Sequence, residues 1–174
     1  MTEQTSTRCG YVALIGVPNA GKSTLVNALV GAKVSIVSRK VQTTRALVRG
    51  IAMVDQTQII FVDTPGIFSP KRRLERAMVT SAWGGAGEAD AVGLVIDARK
   101  GIDEDVETLL QSLSEWKKPI HLILNKVDLV DPPHLLKLAE MLNQRIAFKE
   151  TFMVSATSGS GVDRVRKHFA SLMP

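Results

Sequence analysis

The chain has 174 residues, 45% of them hydrophobic and 22% charged, with a single cysteine. This suits one globular domain with a substantial core, and the lone Cys9 excludes an intramolecular disulfide. The start MTEQTSTRCG lacks the apolar run of a signal peptide, and no stretch is apolar enough to span a membrane, so a cytoplasmic setting is expected and nothing supports membrane association. A net charge of +5 permits nucleic-acid binding and equally suits a basic, soluble surface.

Taken in order, residues 11–15 read as a strand and 23–30 as a helix stopped by Gly31. Residues 47–54 and 59–62 read as strands joined by a turn at 55–57 short enough for a hairpin. A helix is expected over roughly 74–83, a strand over 92–96 and a helix over 103–116 that starts at Asp103. The pattern ends with a strand at 120–124, a helix at 133–146 started by Pro133, a strand at 152–154 and a helix at 162–172. Such alternation predicts an α/β fold with a mostly parallel six-stranded sheet, helices on both faces, and one antiparallel edge from the hairpin. No repeat or low-complexity linker interrupts it, so residues 1–174 read as one domain.

The strongest chemical signal is GVPNAGKS at 16–23, which fits GxxxxGK followed by Ser or Thr, between a predicted strand and a predicted helix. Gly16 and Gly21 allow tight turns, and the amides of Val17, Pro18's neighbours Asn19 and Ala20, and the helix start through Thr24 can cradle phosphates. Lys22 can neutralise terminal phosphates, and the Ser23 hydroxyl can ligate Mg²⁺. NKVD closes the apolar strand at 120–124, where the carboxyl ends of parallel strands line a ligand crevice. There Asn125 and Lys126 lead to Asp128, whose carboxylate can accept from N1 and N2 of guanine, a donor pair that adenine lacks. After the last strand, SATSG supplies Ser155, Ala156 and Thr157, and the Ala156 amide is expected to face the guanine O6.

GVPNAGKST, QTTR, DTPG, NKVD and SATSG, in this order and at these separations, resemble the Era-like branch of the translation-factor-like P-loop GTPases. The run GAKVSIVSRK before QTTR is similar too, although nucleotide chemistry does not demand it; Val41 departs from the more familiar proline or alanine. The resemblance implies a three-layer P-loop GTPase fold that binds GTP and GDP with Mg²⁺, hydrolyses GTP, and serves maturation of 16S rRNA in the small ribosomal subunit. Members of the branch continue into a KH-type RNA-binding domain, through which most RNA contact is expected; no GxxG-containing segment follows here, so that domain is expected to be missing.

In DTPG the resemblance gives nucleotide contacts to Asp63, Thr64, Pro65 and Gly66. Mg²⁺ is expected on Ser23, on Thr43 or preferably Thr44, and through water on Asp63. Ile67 stands where many small GTPases carry the glutamine that orients the attacking water, and it can neither donate nor accept a hydrogen bond. Water would then be held by the Gly66 amide or the Thr44 carbonyl beside the charge of Lys22, with slow turnover. Asn19 is either a turn residue or, as in some GTPases that this chain resembles, the ligand of a K⁺ ion that assists hydrolysis. Residues 33–45 and 64–83 are the expected switches; Arg39, Lys40 and Arg45 in one and Lys71, Arg72, Arg73 and Arg76 in the other form either a solvated face or a surface for RNA. A GTP-dependent binding module with incidental hydrolysis is the alternative function, and Asp128 argues against an ATP-using enzyme.

The remaining polar residues carry less. His121, His134 and His168 lack metal-ligand spacing and read as surface or packing residues, as do Trp83 and Trp116 at helix ends. Cys9 has no nearby histidine pattern that would make it a nucleophile.

Overall fold

Apolar runs in this chain alternate between strand and helix periods, and a computed structural model shows how they assemble, describing residues 7–17, 20–30, 47–63, 89–114 and 119–174. In chain order these form β1 (Arg8–Ile15), α1 (Lys22–Val30), β2 (Leu47–Val54), β3 (Thr57–Asp63), β4 (Ala91–Asp97), α2 (Glu104–Leu113), β5 (Ile120–Asn125), a 3₁₀ turn (Val127–Leu129), α3 (Pro132–Arg145), β6 (Thr151–Met153) and α4 (Val162–Leu172). The helix expected at 74–83 lies outside the described residues.

Among the described residues one six-stranded sheet runs in the order β2-β3-β1-β4-β5-β6, parallel throughout except for β2 against β3. The antiparallel edge comes from the hairpin, whose turn places Asp55 at φ 53°, a left-handed conformation that aspartate tolerates better than most residues. On β2, buried Ala52 alternates with exposed Ile51 and Met53, the pattern of a strand covered on one face. Every residue of β4 and β5 is buried, so helices cover both faces at the centre. Right-handed crossovers account for this: the connections that step from β4 to β5 to β6 put α2 and α3 on one face, where Arg145 reaches Glu107, while the chain leaving β1 in the opposite direction puts α1 on the other face with α4.

α1 and α4 pack on each other and on the β2–β3 hairpin. α2 presents Val106, Leu109, Leu110 and Leu113 inward, at the spacing of one helical face. Its start is fixed by the Asp103 side chain, which accepts from the Val106 amide at 2.9 Å, while Glu104, Asp105 and Glu107 complement the positive end of the helix dipole. Asp103, the expected start signal, acts as the cap, because its carboxylate satisfies an amide that has no partner within the helix. Arg145 at the end of α3 pairs with Glu107 of α2 in a forked geometry. β1 begins earlier than its apolar run because Arg8 already pairs with Thr57 in the β3 register. Fully buried Leu14, Ile59, Phe61, Leu94 and Phe169 anchor the core, each contributing about 2–3 kcal/mol of transfer free energy. Among the described residues, no helix is long and apolar enough to cross a membrane.

Candidate functional site

The strand order reverses between β1 and β4, and the carboxyl ends of β1, β3, β4 and β5 therefore open onto one crevice. The loop after β1 is squeezed against β4: a Cβ on Gly16 would lie 2.6 Å from the Val95 carbonyl oxygen, which leaves room only for glycine. Gly21 takes φ 92°, and a Cβ there would lie 2.4 Å from Nδ2 of Asn125. α1 starts at Lys22 directly after this turn, with Leu25 donating to the Gly21 carbonyl at 2.9 Å, so the N-terminal end of the helix follows the loop. Ser23 and Thr24 are exposed there. Lys22 Nζ donates to the Gly16 carbonyl at 2.6 Å, folding its ammonium back over the phosphate loop.

Asn125 is the hub of the site. Its side chain is 2% exposed; Nδ2 donates to the Ala20 carbonyl at 3.1 Å, while Oδ1 accepts from the Lys126 amide at 2.9 Å and the Ala156 amide at 3.1 Å. One amide group thereby joins the phosphate loop, the NKVD turn and the SATSG loop, uniting three segments that lie 105 and 31 positions apart along the chain. The bonds to Ala20 and Ala156 are buried, where leaving a polar group unpaired costs about 1–3 kcal/mol, and that from Lys126 is partly buried. Val127 donates to the Val154 carbonyl at 3.2 Å, and the 3₁₀ turn leaves Asp128 exposed. Ser155 is buried and its loop closes through Gly159 to the Ser155 carbonyl at 2.8 Å, with Thr157 exposed at the tip.

Of the residues singled out by sequence, Gly16, Val17, Ala20, Gly21, Lys22, Ser23, Thr24, Asn125, Lys126, Asp128, Ser155, Ala156 and Thr157 gather at this end of the sheet. Asp63 ends β3 beside Leu14 in the register, next to the phosphate loop. Pro18, Asn19, Thr43, Thr44, Thr64, Pro65, Gly66 and Ile67, and with them the K⁺ and water-holding sites and both switches, lie outside the described residues. The Ala156 amide, expected to face the guanine O6, donates to the buried Asn125 Oδ1 at 3.1 Å.

Sequence reading missed Asp97, the last residue of β4, which is 4% exposed and holds Lys126 Nζ at 2.9 Å. The signal was there in VID: a carboxylate closing an otherwise apolar buried strand. Beside the phosphate loop lies a cavity of about 160 Å³ lined by Val17, Ala20, Asp97, Asp103 and Asp105 among others. His121 and His168, scattered in sequence, come together at a ring separation of 5.0 Å on the α4 side of β5, remote from the crevice.

Residues 11–126 match the family model described as 50S ribosome-binding GTPase. The chain is 62% identical over 168 residues to GTPase Era of Afipia carboxidovorans, which covers 97% of this chain and 54% of that protein. Among solved structures it is similar to Era in complex with MgGDPNP and nucleotides 1506–1542 of 16S ribosomal RNA, with a TM-score of 0.80 and 36% identity over 97% of this chain and 58% of that one. Aquifex aeolicus Era, as a point variant bound to GDP and AlF4⁻, gives a TM-score of 0.79 at 36% identity over the same shares. The chain spans about half the length of the curated relatives it matches. A phosphate loop, a buried asparagine hub and an exposed aspartate on the base turn, in a sheet of this order and with these matches, lead to one conclusion: the chain belongs to the 50S ribosome-binding GTPase family.

Proposed function

We propose that this chain is the guanine-nucleotide-binding and GTP-hydrolysing domain of an Era-type switch, acting in the cytoplasm on maturation of 16S rRNA and the small ribosomal subunit. The observation that carries the reading is the Asn125 hub, which sets the phosphate loop and the base turn at fixed positions while leaving Asp128 exposed beside them. A carboxylate in that place selects guanine through its N1 and N2 donors. The solved Era relative that holds MgGDPNP and a 16S rRNA fragment supports the nucleotide and RNA parts alike.

The donors at the crevice suit Mg²⁺. Ser23 is exposed at the helix start and Asp63 ends β3, both hard oxygen ligands, and the described residues contain no cluster of three or more His, Cys, Asp or Glu that would form an all-protein cage. Ser23, Asp63 and Thr44 would hold the ion together with the nucleotide, and when bound it supplies charge neutralisation on the phosphates. Lys22 exchanges the Gly16 carbonyl for phosphate oxygens. The loop amides and the start of α1 orient the terminal phosphate, and the Gly66 amide or Thr44 carbonyl holds water in line. With Ile67 unable to contact that water, turnover is slow. Asn19 supplies a hard oxygen for K⁺, so hydrolysis runs faster in KCl than in NaCl at equal ionic strength, and the difference vanishes in Asn19→Ala.

Nucleotide titrations test the assignment. GDP binds far more tightly than ADP, and Asp128→Asn weakens GDP on the order of a hundredfold while improving XDP, whose 2-oxo group accepts where guanine donates. Equal affinity for GDP and ADP would refute the reading. GTP turnover stimulated by 16S rRNA or small-subunit particles separates a hydrolysing switch from a binding module with incidental hydrolysis.

A further inference from the structure

We propose that Asp97 is a positioning residue for nucleotide binding, acting through Lys126 to hold a preformed wall of the nucleoside crevice; this rests on the guanine-nucleotide reading above. β4 is a run of buried side chains, AVGLVID, that ends in a carboxylate 4% exposed. A buried charge is costly unless it is met on its open sides. Asp97 is met on two. Oδ1 accepts from the amides of Arg99 at 2.9 Å and Lys100 at 3.3 Å, and Oδ2 accepts from Lys126 Nζ at 2.9 Å. Burial alone would raise the carboxyl pKa, yet the Lys126 bond and the two amides together leave it lowered.

The two oxygens do separable things. Oδ1 shapes the turn from β4 to α2, which Gly101 also closes by donating to the Asp97 carbonyl at 3.0 Å. Oδ2 fixes Lys126, which follows Asn125, the cross-strand partner of Asp97. Lys126 takes φ 66°, uncommon outside glycine, and this turn brings its side chain back over the end of β4. The stem then crosses the phosphate loop: a Cβ on Gly21 would lie 3.7 Å from Lys126 Cε. A nucleotide seated between that loop and Asp128 lies along this stem. Held by Asp97, the stem carries this restraint before the ligand arrives; without it, more of the ordering falls to binding, an entropic cost that shortens the residence of the ligand.

Asp97→Asn isolates the second task, because its remaining oxygen still accepts from the two amides while the charge facing Lys126 is gone. With the fluorescent analogue mant-GDP and stopped-flow mixing, Asp97→Asn is expected to speed release on the order of tenfold with little change in association rate. In a Lys126→Met background, which already lacks the ion pair, the same substitution adds nothing. Release at the wild-type rate from folded Asp97→Asn overturns the proposal, and so does an equal acceleration in both backgrounds, which would place the effect in the turn. Should Asp97→Asn fail to fold, Lys126→Met alone decides: it leaves the amide contacts intact and must speed release to the same extent, and wild-type release refutes the idea. An unmodified chain that takes up no mant-GDP would instead refute the nucleotide reading itself.

Discussion

His121 offers a quantitative test of how this fold treats a buried ionisable group. It sits in the middle of the sheet on β5, 2% exposed, with Nδ1 lacking a hydrogen-bond partner, and its ring meets those of His168 at 5.0 Å and Phe169 at 5.4 Å. Burial, reinforced by the neighbouring His168 and by Lys149 against the opposing pull of Glu150, lowers its pKa from 6.5 to about 4. The folded state therefore holds His121 neutral while the unfolded chain takes up a proton near pH 6.5, so the unfolded state binds more protons as pH falls between those values. Stability from this group is complete above pH 6.5 and drains away down to about pH 4. With a shift from 6.5 to about 4, the loss at pH 5 relative to pH 8 is about 2 kcal/mol, rising to about 3 below pH 4. His121→Phe removes the titration and keeps a planar ring among rings. Urea unfolding at pH 8 and pH 5 measures it: the pH-dependent loss in the wild type exceeds that in His121→Phe by about 2 kcal/mol. Asp97 does not confound the comparison, because its carboxyl is held below 3.8 and its contribution is lost only in more acid solution. Equal pH dependence in the two proteins would refute the argument.

Gly21→Ala forces a side chain into φ 92° and within 2.4 Å of Asn125 Nδ2, so it is expected to cost at least about 2 kcal/mol in thermal or urea unfolding and to abolish GDP binding by isothermal titration. Asn125→Asp keeps the oxygen that accepts from Lys126 and Ala156 but turns a second oxygen toward the Ala20 carbonyl, so GDP affinity falls more than tenfold, by about 2 kcal/mol or more, while the sheet survives in circular dichroism. Leu142→Ala on α3 empties a site that is 0% exposed and is expected to cost about 2–5 kcal/mol in urea unfolding without altering GDP affinity, since it lies away from the crevice. Arg145→Ala breaks an exposed pair with Glu107 and is expected to leave the melting temperature nearly unchanged.

What was legible in the sequence follows from how local each cause is. β4 and β5 are visible because a strand buried on both faces reads as a nearly continuous apolar run, and α4 is visible because its buried Val162, Val165 and Phe169 recur at a helical period. The phosphate loop is visible because two glycines are demanded by backbone geometry alone, as the close approaches at Gly16 and Gly21 show. Pairings across the fold are another matter. That Asn125 would spend its amide on Ala20 and Ala156 depends on three loops meeting, and no periodicity encodes the meeting. The same holds for Asp97, which ends β4 opposite Asn125, and Lys126, one residue past the end of β5, and for His121 and His168, which a helix brings together from 47 positions apart. In each case the residue type gave notice, since a polar group inside an apolar run must find a partner, yet the partner is chosen by topology. The sequence signal for such residues is therefore a demand without an address. Asp97 is the instructive one: the strand that buries it is so plainly apolar that its carboxylate could be there only for something beyond the strand itself, and the neighbouring β5 supplies that something one residue past its own end.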